Sequence, residues 1–249
     1  MIQVRNLCKS FGRQQVLRDV SFDVQPGSTT AVVGPSGVGK SVLLKIVMGI
    51  MKPERGSVFL DDVEITHLDS ELEKNQIRES MGVLFQSAAL LDSMTLYDNI
   101  AFPLVQCGNV SAAEVHERVC FMIEKLSLEN FAFRNPQAVS LGIRKRAGMA
   151  RALIREPKLF LLDEPNTGLD PLVGQEVYDL ISFCKKEWKF TGLLISHELP
   201  EVFQVSDEVI MLLNGELVLQ GSPQEFLESD NEAVQQFLHG SVNGPIRIQ

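Results

Sequence analysis

The sequence is organised around Gly34-Pro35-Ser36-Gly37-Val38-Gly39-Lys40-Ser41, which follows an apolar run at residues 31–33 and precedes a helix-like segment at residues 42–47. The three glycines of this loop allow successive backbone N–H groups to turn inward around phosphate oxygens, and the N-terminus of the following helix attracts the same negative charge. Lys40 supplies a positive point charge and Ser41 a hydroxyl ligand for Mg²⁺. A strand, this loop and a helix in that order predict a nucleoside triphosphate site; the alternative is a glycine-rich turn between a strand and a helix.

Composition limits the class of protein. The 249 residues are 45% hydrophobic and 22% charged, which allows one large globular domain or a core with a subdomain. The net charge of −9 argues against a surface that coats nucleic acid, because that affinity depends largely on neutralising phosphates. No apolar stretch approaches the roughly 18 residues needed to cross a bilayer, and the first residues lack a signal-peptide pattern. We therefore expect a cytoplasmic protein.

The four cysteines lack the spacing of a metal site or a redox pair, so they are expected to be free thiols in a reducing compartment. They are Cys8, Cys107, Cys120 and Cys184.

The pattern along the chain predicts an α/β fold. Residues 1–30 read as short strands and turns, which form a β-rich lobe before the loop. Helical spacing of apolar residues at 111–128 predicts a helical subdomain. Residues 158–163 and 192–196 are apolar runs that end in polar residues, as buried parallel strands do when their carboxyl ends carry functional groups. A capped helix is predicted from Ser222 to His239, followed by a short tail at residues 240–249.

Three polar residues at the ends of these strands are candidates for catalysis. Asp163 and Glu164 can have different roles beside a triphosphate: Asp163 holds Mg²⁺, and Glu164 orients an attacking water. The alternative for both is a solvated strand end. His197 ends the next strand, where an imidazole could couple the γ-phosphate to Glu164; a lone histidine is otherwise a packed or solvated side chain.

Nearly the whole chain resembles the ATPase subunit of an ATP-binding cassette (ABC) transporter. Phe11 lies where that family stacks an aromatic ring on adenine, with a core phenylalanine as the alternative, and Gln86 resembles its glutamine that contacts Mg²⁺ and senses the membrane partner. Ser140-Leu141-Gly142 occupies the place of the family signature, and residues 166–170 resemble its loop that crosses to the second subunit. The loop and the resemblance together predict nucleotide contacts at Phe11, Gly34, Pro35, Ser36, Gly37, Val38, Gly39, Lys40, Ser41, Val42, Ser140 and Gly142. Metal contacts are predicted at Ser41, Gln86 and Asp163, and catalytic roles at Glu164, His197 and Gln86.

The resemblance implies a P-loop NTPase (RecA-like) core with an N-terminal antiparallel β lobe and an inserted α-helical subdomain. The implied ABC ATPase domain spans residues 1–240, with the core at 1–88 and 157–225, the helical subdomain at about 89–156, and a C-terminal helix and tail at 222–249. It also implies ATP and Mg²⁺ as cofactors, and a dimer, expected to be of identical chains, that sandwiches two ATP molecules. Integral membrane permease subunits are the implied partners, which would hold the chain at the inner face of the cell membrane.

One position departs from the family pattern. Leu141 stands where the first signature glycine belongs, and a side chain there costs about 1–2 kcal/mol if the backbone needs a positive φ or a close approach. Such a loss predicts turnover about tenfold slower. A regulatory subunit that binds nucleotide with impaired hydrolysis therefore stays open as an alternative.

Two other surfaces follow the motifs. The basic run Arg144-Lys145-Arg146, with Arg151 and Arg155, reads mainly as a solvated helix face, with phosphate steering or dimer docking as the alternative. Residues 87–103 read as a groove for a cytoplasmic helix of the permease, with core packing as the alternative.

Within the family, the motifs at residues 85–91 and 98–104 resemble ATPases of phospholipid-trafficking (Mla/MCE-type) systems, which have small accessory and lipid-binding subunits. An ATPase of another importer, for amino acids or similar cargo, is the alternative. DNA-repair and translation ATPases are disfavoured, because 123 residues (163 − 40) separate Lys40 from Asp163 and leave no room for a long coiled coil, and because the chain holds one phosphate loop.

Overall fold

A computed structural model describes residues 1–246 of the chain, which divides into two compact units. The first unit combines Met1–Arg78 with the chain from Thr191 onward, and the second spans Glu79–Phe190. None of the helices in residues 1–246 is long and apolar enough to cross a membrane.

The first unit begins with an antiparallel lobe. The strands β1 (Ile2–Phe11), β2 (Gln14–Val24), β4 (Arg55–Leu60) and β5 (Val63–Glu64) form a four-stranded sheet in the order β2-β1-β4-β5. Val4 of β1 pairs with Phe22 of β2 and with Val58 of β4, and all three side chains are buried. The β-rich lobe predicted for residues 1–30 is present, and β1 extends over ten residues because its pairing with β2 continues through several register shifts.

A second group of strands carries the phosphate loop. Strand β3 (Thr29–Val33) is flanked by β8 (Thr191–Ile195) and β9 (Glu208–Leu213), both parallel to it, and β10 (Glu216–Gly221) is antiparallel to β9. All five residues of β3 and of β8 are buried, as expected for parallel strands covered on both faces. Helix α1 (Lys40–Val47) follows the loop, and α2 (Glu71–Glu79) ends the first segment of this unit.

The C-terminal segment is two helices rather than the single predicted one. Ser222 caps α7 (Pro223–Leu227) in a capping box with Glu225, so the predicted start is confirmed. The chain then leaves the helix, and the side chain of Asn231 accepts hydrogen bonds from two backbone N–H groups at the start of α8 (Glu232–His239). A new cap nine residues after the first one divides the segment, because residues such as asparagine compete for the backbone N–H groups of a continuous helix.

The second unit is mainly helical around two parallel strands. Strands β6 (Met81–Leu84) and β7 (Leu159–Asp163) pair with Leu84 opposite Leu162. Helices α3 (Leu96–Cys107), α4 (Ala112–Lys125), α5 (Leu141–Leu153) and α6 (Pro171–Trp188) complete the unit. The helix predicted at residues 111–128 is α4, capped by Ser111 and buried through Val115, Val119 and Met122. All four cysteines are free, as predicted.

Candidate functional site

The phosphate loop starts with a backbone geometry that only glycine tolerates. Gly34 has φ +144° and is buried, and a Cβ at this position would collide with the carbonyl oxygen of Leu212 in the neighbouring strand β9. Gly39, the N-cap of α1, has φ +105°, and a Cβ there would lie 3.0 Å from the carbonyl oxygen of Val16. The two glycines therefore allow the loop to curl closely between its strand and its helix.

The ammonium group of Lys40 points back into this loop. Its Nζ donates hydrogen bonds to the carbonyl oxygens of Gly34 (2.6 Å) and Pro35 (2.9 Å), and the residue is only 5% exposed. Ser41, one residue later in α1, is exposed together with Ser36 and Gly37 of the loop. The loop thus presents backbone N–H groups, a hydroxyl and a positive charge at the N-terminus of α1, which is the chemistry of a phosphate site.

His197 lies beside this loop, two residues after the end of the adjacent strand β8. Val32 of β3 pairs with Ile195 of β8, and the N–H of Ser196 donates to the carbonyl oxygen of Val32 at 3.2 Å. Gly34 and His197 each follow their paired residue by two positions, so the parallel register brings them to the same edge of the sheet. The imidazole is exposed.

Phe11 is the last residue of β1 and is 49% exposed, so it is not a core residue. The ammonium of Lys9 lies 5.4 Å from the centre of its ring. An exposed ring at a strand end can stack on a base, and its contact with adenine stays a prediction.

The second unit brings Gln86 and the two carboxylates together in the same way. Leu84 pairs with Leu162, and Gln86 and Glu164 each lie two residues beyond that pair. Asp163 ends β7 and is partly buried, as is Glu164, whereas Gln86 is exposed. The parallel register therefore gathers one amide and two carboxylates at one edge of this unit.

The backbone of Glu164 is held in an uncommon conformation. Its φ is +46°, which costs a non-glycine residue about 1–2 kcal/mol. The hydroxyl of Thr167 donates to its Oε2 at 3.0 Å. Such strain persists only where the surroundings hold it, and it is concentrated at functional sites.

Lys145 lies behind this edge. The sequence predicts a solvated basic face here, but the residue is fully buried, and its Nζ donates to the carbonyl oxygens of Gln86 (2.5 Å) and Glu164 (3.3 Å). Burial lowers the pKa of Lys145 to about 8, and the nearby carboxylates of Asp163 and Glu164 oppose this shift. Helical spacing contained the signal: Lys145 lies four residues before Met149, which is also buried, on the same face of α5.

The other basic residues of α5, and Arg155 just beyond its end, differ in their surroundings. Arg146 pairs with Glu176 at 3.0 Å, and Arg155 with Glu79 at 3.5 Å; the four side chains are partly or largely exposed. Arg151 instead donates to two backbone carbonyl oxygens, and burial lowers its pKa. The predicted solvated face is therefore wrong for Lys145 and Arg151.

Ser140 and Gly142 lie at the start of α5. Ser140 is the N-cap, and its hydroxyl accepts from the N–H of Ile143 at 3.4 Å. Gly142 is buried against α6, where a Cβ would lie 2.9 Å from Cγ1 of Val173. Leu141, the first residue of α5, does not have a positive φ, so the cost of a left-handed backbone does not arise here, and the cost of a close backbone approach stays a prediction.

The chain from Asn166 to Asp170 leads from β7 to α6. Asn166 is 3% exposed and accepts a hydrogen bond from the hydroxyl of Tyr178 at 3.2 Å. Asp170 caps α6 by accepting from the N–H groups of Leu172 and Val173, both at 3.1 Å. A side-chain methyl of Leu141 lies 3.4 Å from the position that a Cβ of Gly168 would occupy, so the start of α5 lies against this loop.

The sequence matches a known protein family and named relatives. The family model described as ABC transporter matches residues 17–167. The chain is 39% identical over 245 residues to a protein of Mycobacterium leprae named probable ribonucleotide transport ATP-binding protein mkl, covering 98% of this chain and 70% of that protein. It is 32% identical over 249 residues to the intermembrane phospholipid transport system ATP-binding protein MlaF of Haemophilus influenzae, covering 100% of this chain and 94% of that protein.

A solved structure shares the fold. A dimeric ATP-binding cassette in a post-hydrolysis state, bound to ADP and Pi, superposes with a TM-score of 0.81 at 28% identity, covering 90% of this chain and 99% of that one. The predicted α/β fold with a P-loop NTPase core is thereby confirmed.

Proposed function

Because the chain belongs to the ABC transporter family and is an ATPase, we propose that it drives a membrane permease that moves phospholipid between two membranes. The named relatives differ in their cargo. The match to MlaF supports phospholipid as the cargo, because it covers 94% of that protein, whereas the match to mkl covers 70%. In this proposal two copies of the chain close around two ATP molecules and reopen after hydrolysis.

The phosphate loop binds the triphosphate in this scheme. The backbone N–H groups between Gly34 and Gly39 point at the phosphate oxygens, except at Pro35, which has none, and Val42 continues the first turn of α1 behind them. Lys40 leaves its two carbonyl acceptors for the β- and γ-phosphates, since an ionised phosphate oxygen is a stronger acceptor than a neutral carbonyl. Phe11 stacks on the adenine.

The donor set fits Mg²⁺. Ser41, Gln86 and Asp163 offer a hydroxyl, an amide oxygen and a carboxylate, which are hard oxygen ligands of the kind this ion takes beside substrate phosphates. When bound, Mg²⁺ would neutralise charge on the phosphate oxygens.

The remaining residues carry out the hydrolysis. Glu164 orients the attacking water and accepts its proton, and His197 contacts the γ-phosphate. Ser140 and Gly142 complete the site of the other copy of the chain through the N-terminus of its α5, which is 13 residues long. ATP therefore favours the closed pair of chains more than ADP does, and that difference drives the cycle.

A groove on the second unit suits the permease. A cavity of about 350 Å³ is lined by Leu91, Phe102 and Pro103 on one side and by Arg151 and Arg155 on another. Three of these residues belong to the segment interpreted as a docking groove, and an apolar floor with a basic rim receives an amphipathic helix. Docking there would hold the chain at the inner face of the membrane, together with small accessory and lipid-binding subunits.

Hydrolysis in the assembled complex tests the catalytic part of the proposal. The chain is purified from membrane with the subunits that accompany it, and ATP turnover is compared between the wild type, Glu164→Gln and the control Glu117→Gln on the exposed face of α4. We expect Glu164→Gln to lose about 10²–10⁴ in kcat while it retains ATP binding. A wild-type rate for Glu164→Gln would remove that residue from its role.

The cargo is tested separately. ATP-dependent transfer of labelled phospholipid between donor and acceptor vesicles is measured for the same complex, beside uptake of labelled ribonucleotide. Transfer of phospholipid supports the proposal, and transport of ribonucleotide alone would assign the chain to a different cargo.

A further inference from the structure

Helix α5 carries more than the family signature at its first turn. Its Lys145 is fully buried and donates through Nζ to the backbone carbonyl oxygens of Gln86 and Glu164, which follow two different strands. These bonds engage the main chain of both residues and not their side chains. One ammonium group thus joins the ends of β6 and β7.

The same helix holds the chain immediately after Gln86. Ala88 and Ala89 both have positive φ, +61° and +47°, an uncommon conformation for two consecutive alanines. The guanidinium of Arg151 donates to their carbonyl oxygens at 2.8 and 2.7 Å. Between the two cations, a Cβ on Gly148 would lie 2.9 Å from Leu84 and 3.1 Å from Ala88, so the backbone of α5 lies directly against this segment.

Burying a lysine is unfavourable unless its donors are satisfied, so an ordinary packing role would be filled better by an apolar residue. Gln86 lies in a turn and Glu164 has a strained backbone, so neither residue is held by a regular strand or helix. The carbonyl oxygen of Glu164 also accepts from the N–H of Thr167 at 3.3 Å, and the ammonium of Lys145 links it to the carbonyl oxygen of Gln86.

We infer that Lys145 is a positioning residue, which holds Gln86 and Glu164 in fixed relation to each other and to Ser140 at the start of its own helix. One side chain of α5 thereby links the Gln86 segment and Glu164 to the helix that begins at Ser140. The catalytic part of this inference rests on the roles given to Gln86 and Glu164 in the proposed function, whereas the structural part does not.

Amide hydrogen exchange of the full-length chain tests the structural part. Lys145→Met keeps the length of the side chain but removes the donor, and Arg146→Met is the matched control on the same helix, since Arg146 only pairs with Glu176 at the surface. We expect exchange at residues 86–89 and 164–167 to accelerate by at least tenfold in Lys145→Met and to stay unchanged in Arg146→Met. Equal exchange in the two variants would overturn the inference.

Steady-state hydrolysis in the assembled complex tests the catalytic part. We expect kcat of Lys145→Met to fall about 10- to 100-fold, as for a misplacement of catalytic groups by about 1 Å, with KM for ATP within threefold of the wild type. A merely structural lysine would lower the melting temperature and leave kcat of the folded fraction unchanged, and that result overturns the positioning role.

Lys145→Gln covers the case in which the methionine variant does not fold. Its amide N–H₂ can still donate to one of the carbonyl oxygens, so we expect a smaller loss of kcat and slower exchange than in Lys145→Met. Wild-type kcat together with wild-type exchange overturns the inference. Accelerated exchange in a complex whose wild type does not hydrolyse ATP would instead refute the proposed function and keep the contacts made by Lys145.

Discussion

Replacing Gly34 by alanine tests the geometry of the phosphate loop. The added Cβ meets the carbonyl oxygen of Leu212, a backbone atom of the buried strand β9 that cannot move aside cheaply. Forcing φ +144° on an alanine costs about 1–3 kcal/mol, and overpacking adds about 1–3 kcal/mol. Gly27→Ala is the control, because Gly27 also has a positive φ, +74°, with nothing within 4 Å of its Cβ position.

Thermal unfolding of the full-length chain separates the two costs. Gly27→Ala carries only the backbone cost of about 1–2 kcal/mol, so the collision should make Gly34→Ala less stable than Gly27→Ala by about 1–3 kcal/mol. At about 2–4 °C per kcal/mol for a chain of this size, the melting temperature of Gly34→Ala should lie about 2–12 °C below that of the control. Mg-ATP should also raise it less than it raises the wild type, because a shifted loop binds phosphate more weakly. Equal melting temperatures for the two variants would refute the close approach of Gly34 to β9.

Three further measurements test other parts of the chain. Lys40→Ala should weaken ATP binding, measured by titration with a fluorescent ATP analogue, by about 10- to 100-fold, because charged hydrogen bonds contribute about 1.5–3 kcal/mol; unchanged affinity would contradict the role of the loop. Leu141→Gly should leave turnover equal or faster, because glycine is the residue of the family signature at this position and removes any cost of a close approach by the side chain, and a large loss would show that the leucine is adapted to its neighbours. Among the free thiols, exposed Cys120 should be alkylated well before buried Cys184, whose pKa is raised to about 12 by burial, when native chain is treated at pH 8 and mapped by mass spectrometry; equal rates would contradict that burial.

The same Cys184 thiol sets a dependence of stability on pH. The folded thiol keeps its proton up to about pH 12, whereas an unfolded thiol ionises near its ordinary pKa of about 8.5, so the native state binds more protons in this window. The contribution of Cys184 to the free energy of unfolding is therefore complete below about pH 8.5 and falls as the pH rises. Urea unfolding at pH 8 and 10 should show a smaller drop for Cys184→Ala than for the wild type.

Elements encoded by neighbouring residues were predictable. The loop at Gly34, the buried strands β3 and β8 and the capped helices follow from local spacing, because glycine, alternation and caps act within a few residues. The break between α7 and α8 was missed, although Asn231 before an apolar run is itself a local cap signal. With Ser222 as the only helix start, the sequence pattern predicts one helix across both α7 and α8.

The environment of Lys145 could not be read in the same way. Its acceptors come from Gln86 and Glu164, which are 59 and 19 residues away along the chain. Helical spacing predicts which face of α5 a residue lies on, but not which face is covered by carbonyl oxygens. Because Lys145 stands between Arg144 and Arg146, its sequence context predicts a solvated side chain.

By itself the sequence determined the chemistry of this protein: a phosphate loop, two carboxylates at a strand end and an ordered set of motifs that identify an ABC ATPase. These signals are local, and each depends on residues that are adjacent in the chain. Only the tertiary structure decided how the loop is accommodated against Leu212, that Leu141 begins a regular helix, and that Lys145 joins Gln86 to Glu164. Those outcomes depend on contacts between distant segments, because burial and hydrogen-bond partners are settled only when the strands and helices pack together.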